Sequence, residues 1–128
     1  MEAQHPVRLT VPAAPSSVRL ARLVAAGVAA DAGLSIDDTE DLRIAVSELV
    51  ALLIEGAPED TPEVVITYRR APGEVEVSGE AAVSVALDGP IDDDLAFEIL
   101  AVVVDSHAFE VEGDTRRFRL VKRARTAV

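Results

Sequence analysis

The chain has no cysteine and no tryptophan, and its aromatic side chains amount to three phenylalanines and one tyrosine. Without thiols there can be no disulfide framework, thiol nucleophile or thiolate metal site. So few rings leave little from which to build a base-stacking platform. Long apolar runs are missing as well. The two longest, Leu49 to Ile54 and Ile99 to Val104, fall far short of the roughly 20 residues that a membrane-spanning helix needs. The first residues carry neither the basic start nor the apolar core of a secretion signal. Positive charge is scarce too. Twelve Lys and Arg stand against 23 Asp and Glu, a formal net charge of -11. That balance disfavours phosphate neutralisation, on which sequence-independent nucleic-acid binding depends, and it favours basic partners. A cytoplasmic protein with neither membrane nor nucleic acid as partner is expected.

What is present is mostly aliphatic. A chain of 128 residues reads as a single domain over 1–128, long enough to bury about two-thirds of its unfolded surface. Pro6 to Val11 alternates apolar and polar side chains and predicts a strand. Ser16 or Ser17 is expected to cap a helix running to about Asp31, ended by Gly33. Ser35 caps a second helix, with Asp37, Asp38, Glu40 and Asp41 in its first turns, where the helix dipole favours anions. Leu42, Ala45, Val46, Leu49, Val50 and Leu53 form its apolar face, and Gly56 and Pro58 stop it. Strands are predicted at Glu63 to Arg70 and Val75 to Ser78, joined by the turn Ala71 to Glu74, with a further strand at Val83 to Leu87. Asp92, Asp93 and Asp94 open a third helix whose body, Ile99 to Val104, is apolar nearly all round, which suits deep burial or an interface. Phe109 to Glu112 and Arg117 to Val121 close the chain as two strands around Gly113 and Asp114, with a flexible tail from about 122 to 128. The expected fold is α+β, a two-layer sandwich of three helices on one face of a mostly antiparallel sheet.

Isolated chemistry-bearing residues say little. His5 and His107 have no ligand neighbour at metal spacing, so no metal site is expected. Ser47 and Ser78 lack a base partner. Arg116, Arg117, Arg119, Lys122, Arg123 and Arg125 read as the wet face of an edge strand plus a tail, where charge blocks unwanted pairing. Asp41, Glu48 and Glu55 recur every seven residues on one helical stripe, which a solvated polar edge explains without catalysis.

The order of elements and several local stretches resemble the anti-sigma regulatory factors and serine-protein kinases of the GHKL superfamily, whose fold is the Bergerat or histidine-kinase-like ATPase fold. The likeness is carried by Val18 to Arg22, most specifically by Asp41 to Val50, and then by Phe97 to Leu100, Asp105 and Arg117 to Val121. The resemblance implies a regulator that binds a sigma factor or an anti-sigma antagonist and, in many members, phosphorylates the antagonist with ATP. The family's first nucleotide motif is Glu-x-x-x-Asn, whose Asn ligates Mg²⁺; here Glu48 holds the first place and Leu52 the second. Mg²⁺ takes oxygen ligands in near-octahedral geometry, and leucine offers none. The second, Asp-x-Gly-x-Gly, supplies an adenine acceptor; here Gly79, Ala81 and Val83 stand at its three places. The third, Gly-x-Gly, lets phosphates approach backbone N–H groups; here the matching residues are Asp94, Leu95 and Ala96. The stretch between the last two motifs is also shorter than the family's usual lid over ATP.

These departures act on one ligand, and the expected cofactor set is therefore empty, with no ATP and no metal. The expected function is partner switching without kinase activity, with Glu48 kept as a family position. The alternative is a divergent ATP-dependent serine-protein kinase that still uses Glu48, Mg²⁺ and ATP; a scaffold that keeps only the fold is a third reading. Arg22 matches a family arginine that contacts the partner protein, and it reads equally as an ordinary surface arginine. Members of the family commonly form dimers, which the third helix or the sheet edge could support here.

Overall fold

The computed structural model describes residues 5–85 and 94–125. In chain order the elements are β1 (Val7–Val11), α1 (Ser17–Asp31), α2 (Ile36–Ile54), β2 (Val64–Ala71), β3 (Glu74–Ala82), α3 (Asp94–Val103), β4 (Ser106–Glu112) and β5 (Thr115–Arg123). The strands form one five-stranded sheet in the order β1-β2-β3-β5-β4, and every pairing is antiparallel. The three helices lie on one face of it, giving the α+β two-layer fold that the hydrophobic patterning predicts.

Period-two alternation decides which side chains meet the helices. On β2 and β3 the inward residues are Val64, Ile66 and Tyr68, then Val75, Val77, Gly79 and Ala81. Those of β3 meet an apolar face on α2 made of Leu42, Ala45, Val46, Leu49, Val50 and Leu53, all fully buried, whereas β2 lies against α1. The Tyr68 hydroxyl donates to the Ala21 carbonyl of α1 at 2.8 Å. Burial raises the pKa of its phenol, so the neutral donor persists.

The helix ends follow local chemistry. Gly33 adopts φ of 78°, and the N–H groups of Gly33 and Leu34 return to the carbonyls of Ala30 and Ala29 at 3.1 and 3.0 Å. This paired arrangement closes α1 with orphan carbonyls satisfied. The Ser35 hydroxyl accepts from the Asp38 N–H at 3.1 Å and caps α2. The cap expected on α1 does not form. Ser16 makes no side-chain cap bond, and the buried Ser17 instead donates its hydroxyl to the Pro12 carbonyl at 2.7 Å. The preceding turn, not a cap, starts that helix.

Three further expectations are corrected. Val83 to Val85 belongs to no strand; β3 runs on to Ala82, and Val83 merely continues its inward parity. The remainder of that predicted strand, with Asp92 and Asp93, lies outside the described residues. The tail expected from residue 122 is strand as far as Arg123, and Lys122 is buried. Nor is β5 an edge strand, since it lies between β3 and β4. Its outward arginines pair across the sheet: Arg117 with Glu80 and Glu112, Arg119 with Glu76, and Arg123 with Glu74.

The inward charges of β5 are more consequential. Lys122 Nζ lies 3.6 Å from Asp38 and 3.3 Å from Asp41 and donates to the Val103 carbonyl at 2.9 Å. Arg125 joins this group, its N–H donating to Asp38 at 3.0 Å and its guanidinium pairing with Asp38 and Asp41. Burial pushes the Asp38 carboxyl up, but the bonds from the Arg125 N–H and Ser35, with the charges of Lys122 and Arg125, outweigh it and hold the pKa below its ordinary value. A depressed carboxyl pKa contributes stability that is present above the unfolded-chain value of 3.8 and is lost as pH falls through the folded one. Asp38→Asn is therefore expected to lower the unfolding free energy by about 3 kcal/mol at neutral pH. In urea denaturation series, the gap to the parent protein should close as pH drops below 3.8. A gap of equal size at pH 7 and pH 3 would contradict the assignment.

Candidate functional site

The positions singled out by the family motifs lie on α2, on the inward face of β3 and at the start of α3. Glu48 lies half-buried on α2, and it has no hydrogen-bond or ion-pair partner among the described residues. Leu52, one turn on, is partly buried and packed against the core. Gly79 and Ala81 lie buried on the inward face of β3, and Ala96 is buried on α3. Asp94 is the first residue of α3; its side chain is outside the described set. Arg22 is not brought into this group by any described contact. It lies half-buried on α1, and its Nε is buried without a hydrogen-bond partner.

Two residues of β5 lie against some of these positions. Phe118 is the cross-strand partner of Gly79, and its ring lies directly on the glycine. A Cβ built at Gly79 would fall 2.3 Å from Phe118 Cε2, well inside van der Waals contact. An aspartate at this position, as the family's adenine-binding motif has, cannot coexist with that ring placement. Arg116 is the cross-strand partner of Ala81 and is only 2% exposed. Its Nη1 donates to the carbonyls of Leu52, Leu53 and Glu55 at 3.2, 3.3 and 2.7 Å, and its Nη2 donates to the Val85 carbonyl at 2.8 Å.

The chemistry of this arrangement is self-satisfying. The last carbonyls of a helix lack intrahelical partners and carry partial negative charge. A guanidinium, with five donors in a planar fork, answers several at once. Burial pulls the Arg116 pKa down from its ordinary value, and the Glu55 carboxylate offsets part of that; a guanidinium nevertheless remains charged. The side chains at these positions do not fit a Mg²⁺-nucleotide. Leu52 carries no oxygen, Gly79 carries no acceptor and lies beneath an aromatic ring, and the nearby backbone carbonyls are held by the protein's own cation. Among the described residues no cluster of three or more His, Asp or Glu is placed to hold a metal ion, and no helix is long and apolar enough to cross a membrane.

Sequence reasoning missed Arg116 and Phe118 as parts of this site. The basic run was read as one wet face, although Arg116 shares its parity with Phe118 and Leu120 and so points inward with them.

The description "Histidine kinase-like ATPase domain" matches residues 11–99, more than half of the chain, and the chain belongs to that family. A serine-protein kinase RsbW from Bacillus cereus (strain AH187) is 36% identical over 69 residues, covering 53% of this chain and 43% of the relative. A serine-protein kinase RsbW from Listeria monocytogenes (serotype 4a, strain HCC23) is 41% identical over 64 residues, covering 48% of this chain and 41% of the relative. The match thus spans about two-fifths of the length of these curated relatives. The crystal structure of the RsbU and RsbW domains of Rv1364c from Mycobacterium tuberculosis superposes with a TM-score of 0.71 at 19% identity, covering 98% of this chain and 34% of that one. At that identity the likeness establishes the fold.

Two substitutions test the geometry. Arg116→Ala should lower the unfolding free energy by about 2–4 kcal/mol, because several buried carbonyls lose their donor together. Gly79→Ala should cost about 1–3 kcal/mol by displacing the ring, and much of that cost should vanish in a Phe118→Leu background. Strict additivity in the double-mutant cycle would show that the ring does not cover Gly79.

Proposed function

We propose that this histidine kinase-like ATPase-family domain is a regulatory binding module that works by partner switching without ATP. It holds a sigma factor or an anti-sigma antagonist by surface complementarity, and competition between partners, not phosphorylation, controls release. The observation that carries this reading is the occupation of the inner site by Arg116 and Phe118, together with Leu52 at the place of a metal ligand. The family membership and the likeness to proteins named serine-protein kinase RsbW support a regulator of this general kind.

A divergent serine-protein kinase is the competing reading. It is favoured by the names of the relatives and by Glu48, which is retained at the position of the family's acidic residue and has no hydrogen-bond or ion-pair partner among the described residues. Under that reading Mg²⁺ and ATP would be bound, and a serine of the antagonist would be phosphorylated.

Affinity capture from native lysate, with and without Mg²⁺-ATP, separates the two. The binding-module reading expects stoichiometric recovery of a sigma factor or antagonist, in the same amount under both conditions and with unchanged antagonist mass. Phosphate appearing on an antagonist serine would establish the kinase instead. Recovery of neither partner would reduce the chain to a scaffold of the same fold.

A further inference from the structure

The helix α3 buries one face and leaves an apolar strip on the other. Ala96, Leu100 and Val103 are buried against the core, whereas Leu95 and Val102 are 66% and 77% exposed. With the half-buried Ile99 they follow the i, i+4, i+7 spacing of one helical stripe. A shallow groove of about 330 Å³ runs along them, lined by Leu95, Glu98, Ile99, Val102 and Val103. Large apolar side chains exposed together in this way mark an interaction surface more often than scattered ones do.

The charge around the strip limits what can cover it. Lys122 reaches both Asp41 on α2 and the Val103 carbonyl at the end of α3. Arg116 reaches the C-terminal end of α2 and Val85, which precedes α3 in the chain. The end of α3 therefore lies beside the first turns of α2. Glu98, which lines the groove, has no hydrogen-bond or ion-pair partner among the described residues. The cations of β5 and Arg125 are all engaged elsewhere. The strip is thus apolar along its length and acidic at its margin.

We propose that this strip is a docking surface for an amphipathic helix of a partner protein that presents a row of aliphatic side chains flanked by Lys or Arg. Such a helix buries the exposed Leu95 and Val102 and places a cation opposite Glu98, a helix-in-groove mode of recognition. A second copy of the chain is disfavoured, because it would bring two carboxylate margins together at a net charge of -11 each. An anionic lipid surface is disfavoured for the same reason. The proposal rests on the binding-module reading, of which it names the partner's chemistry.

The test uses the whole chain, isotope-labelled, and a synthetic helical peptide of about 18 residues with a leucine row flanked by lysines. A peptide with glutamate in place of lysine is the control. Saturable amide shifts should cluster at residues 95–103, and the acidic peptide should produce none. Leu95→Ser with Val102→Ser, both exposed and so without cost to the core, should weaken binding about tenfold or more, and Glu98→Gln should weaken it and flatten its salt dependence. Shifts spread over the outer sheet face, equal binding of both peptides, or affinity unchanged by the serine pair would overturn the proposal. So would concentration-dependent self-association that the serine pair abolishes. Titrating Mg²⁺-ATP in the same sample keeps the outcomes apart: nucleotide binding removes the underlying reading, whereas a silent peptide removes only this surface.

Discussion

Strand β5 faces the helix layer with a cation near each end, and the second helix is held between them. Lys122 meets the carboxylates of Asp38 and Asp41 in the first turns of α2, and Arg116 meets the carbonyls of its last turn. Between them Phe118 and Leu120 point the same way and fill the core. The polarity is matched at both ends, since carboxylates suit a helix N-terminus and a cation suits its C-terminus. Neither cation could be buried without these partners, because an isolated buried charge costs several kcal/mol. The pairing therefore sets the position of α2 along β5. It also brings the end of α3 to Lys122 and Val85 to Arg116.

The same constraint governs what the inner site can accept. A nucleotide bound between the helices and the sheet would need donors and space that the chain supplies to itself. Arg116 satisfies the carbonyls around Leu52, and Phe118 lies over Gly79 on the inward face of β3. Glu48 stands outside this arrangement, half-buried and without a hydrogen-bond or ion-pair partner among the described residues.

Much of the fold was legible because it rests on periodicity. The alternation in Val64 to Tyr68 and the three- and four-residue spacing in Leu42, Val46, Leu49 and Leu53 each have one packing solution. The capping of α2 by Ser35 was equally plain, whereas at the start of α1 the choice of Ser17 to bond the Pro12 carbonyl depends on a turn that propensity does not describe. The third alternation misled for a different reason. Val83 keeps the parity of β3, and whether a strand continues depends on neighbours that a single sequence does not display. The basic end was misread because charge was weighed above parity. Arg116 and Lys122 alternate with Arg117, Arg119 and Arg123, and only the inward set is buried. The lost metal ligand and phosphate glycines were visible as residue types. What took their place was not, since it comes from a strand far along the chain.

The account turns on whether the chain's own side chains fill the family's nucleotide position. Amide chemical shifts of the isotope-labelled protein under millimolar Mg²⁺-ATP address this directly, through the backbone signals of Glu48, Leu52, Gly79, Val83 and Ala96. The account predicts that these signals stay where they are to the highest concentration reached. Saturable shifts clustered at those residues would contradict it, and would mean that Arg116 and Phe118 yield their places to the nucleotide.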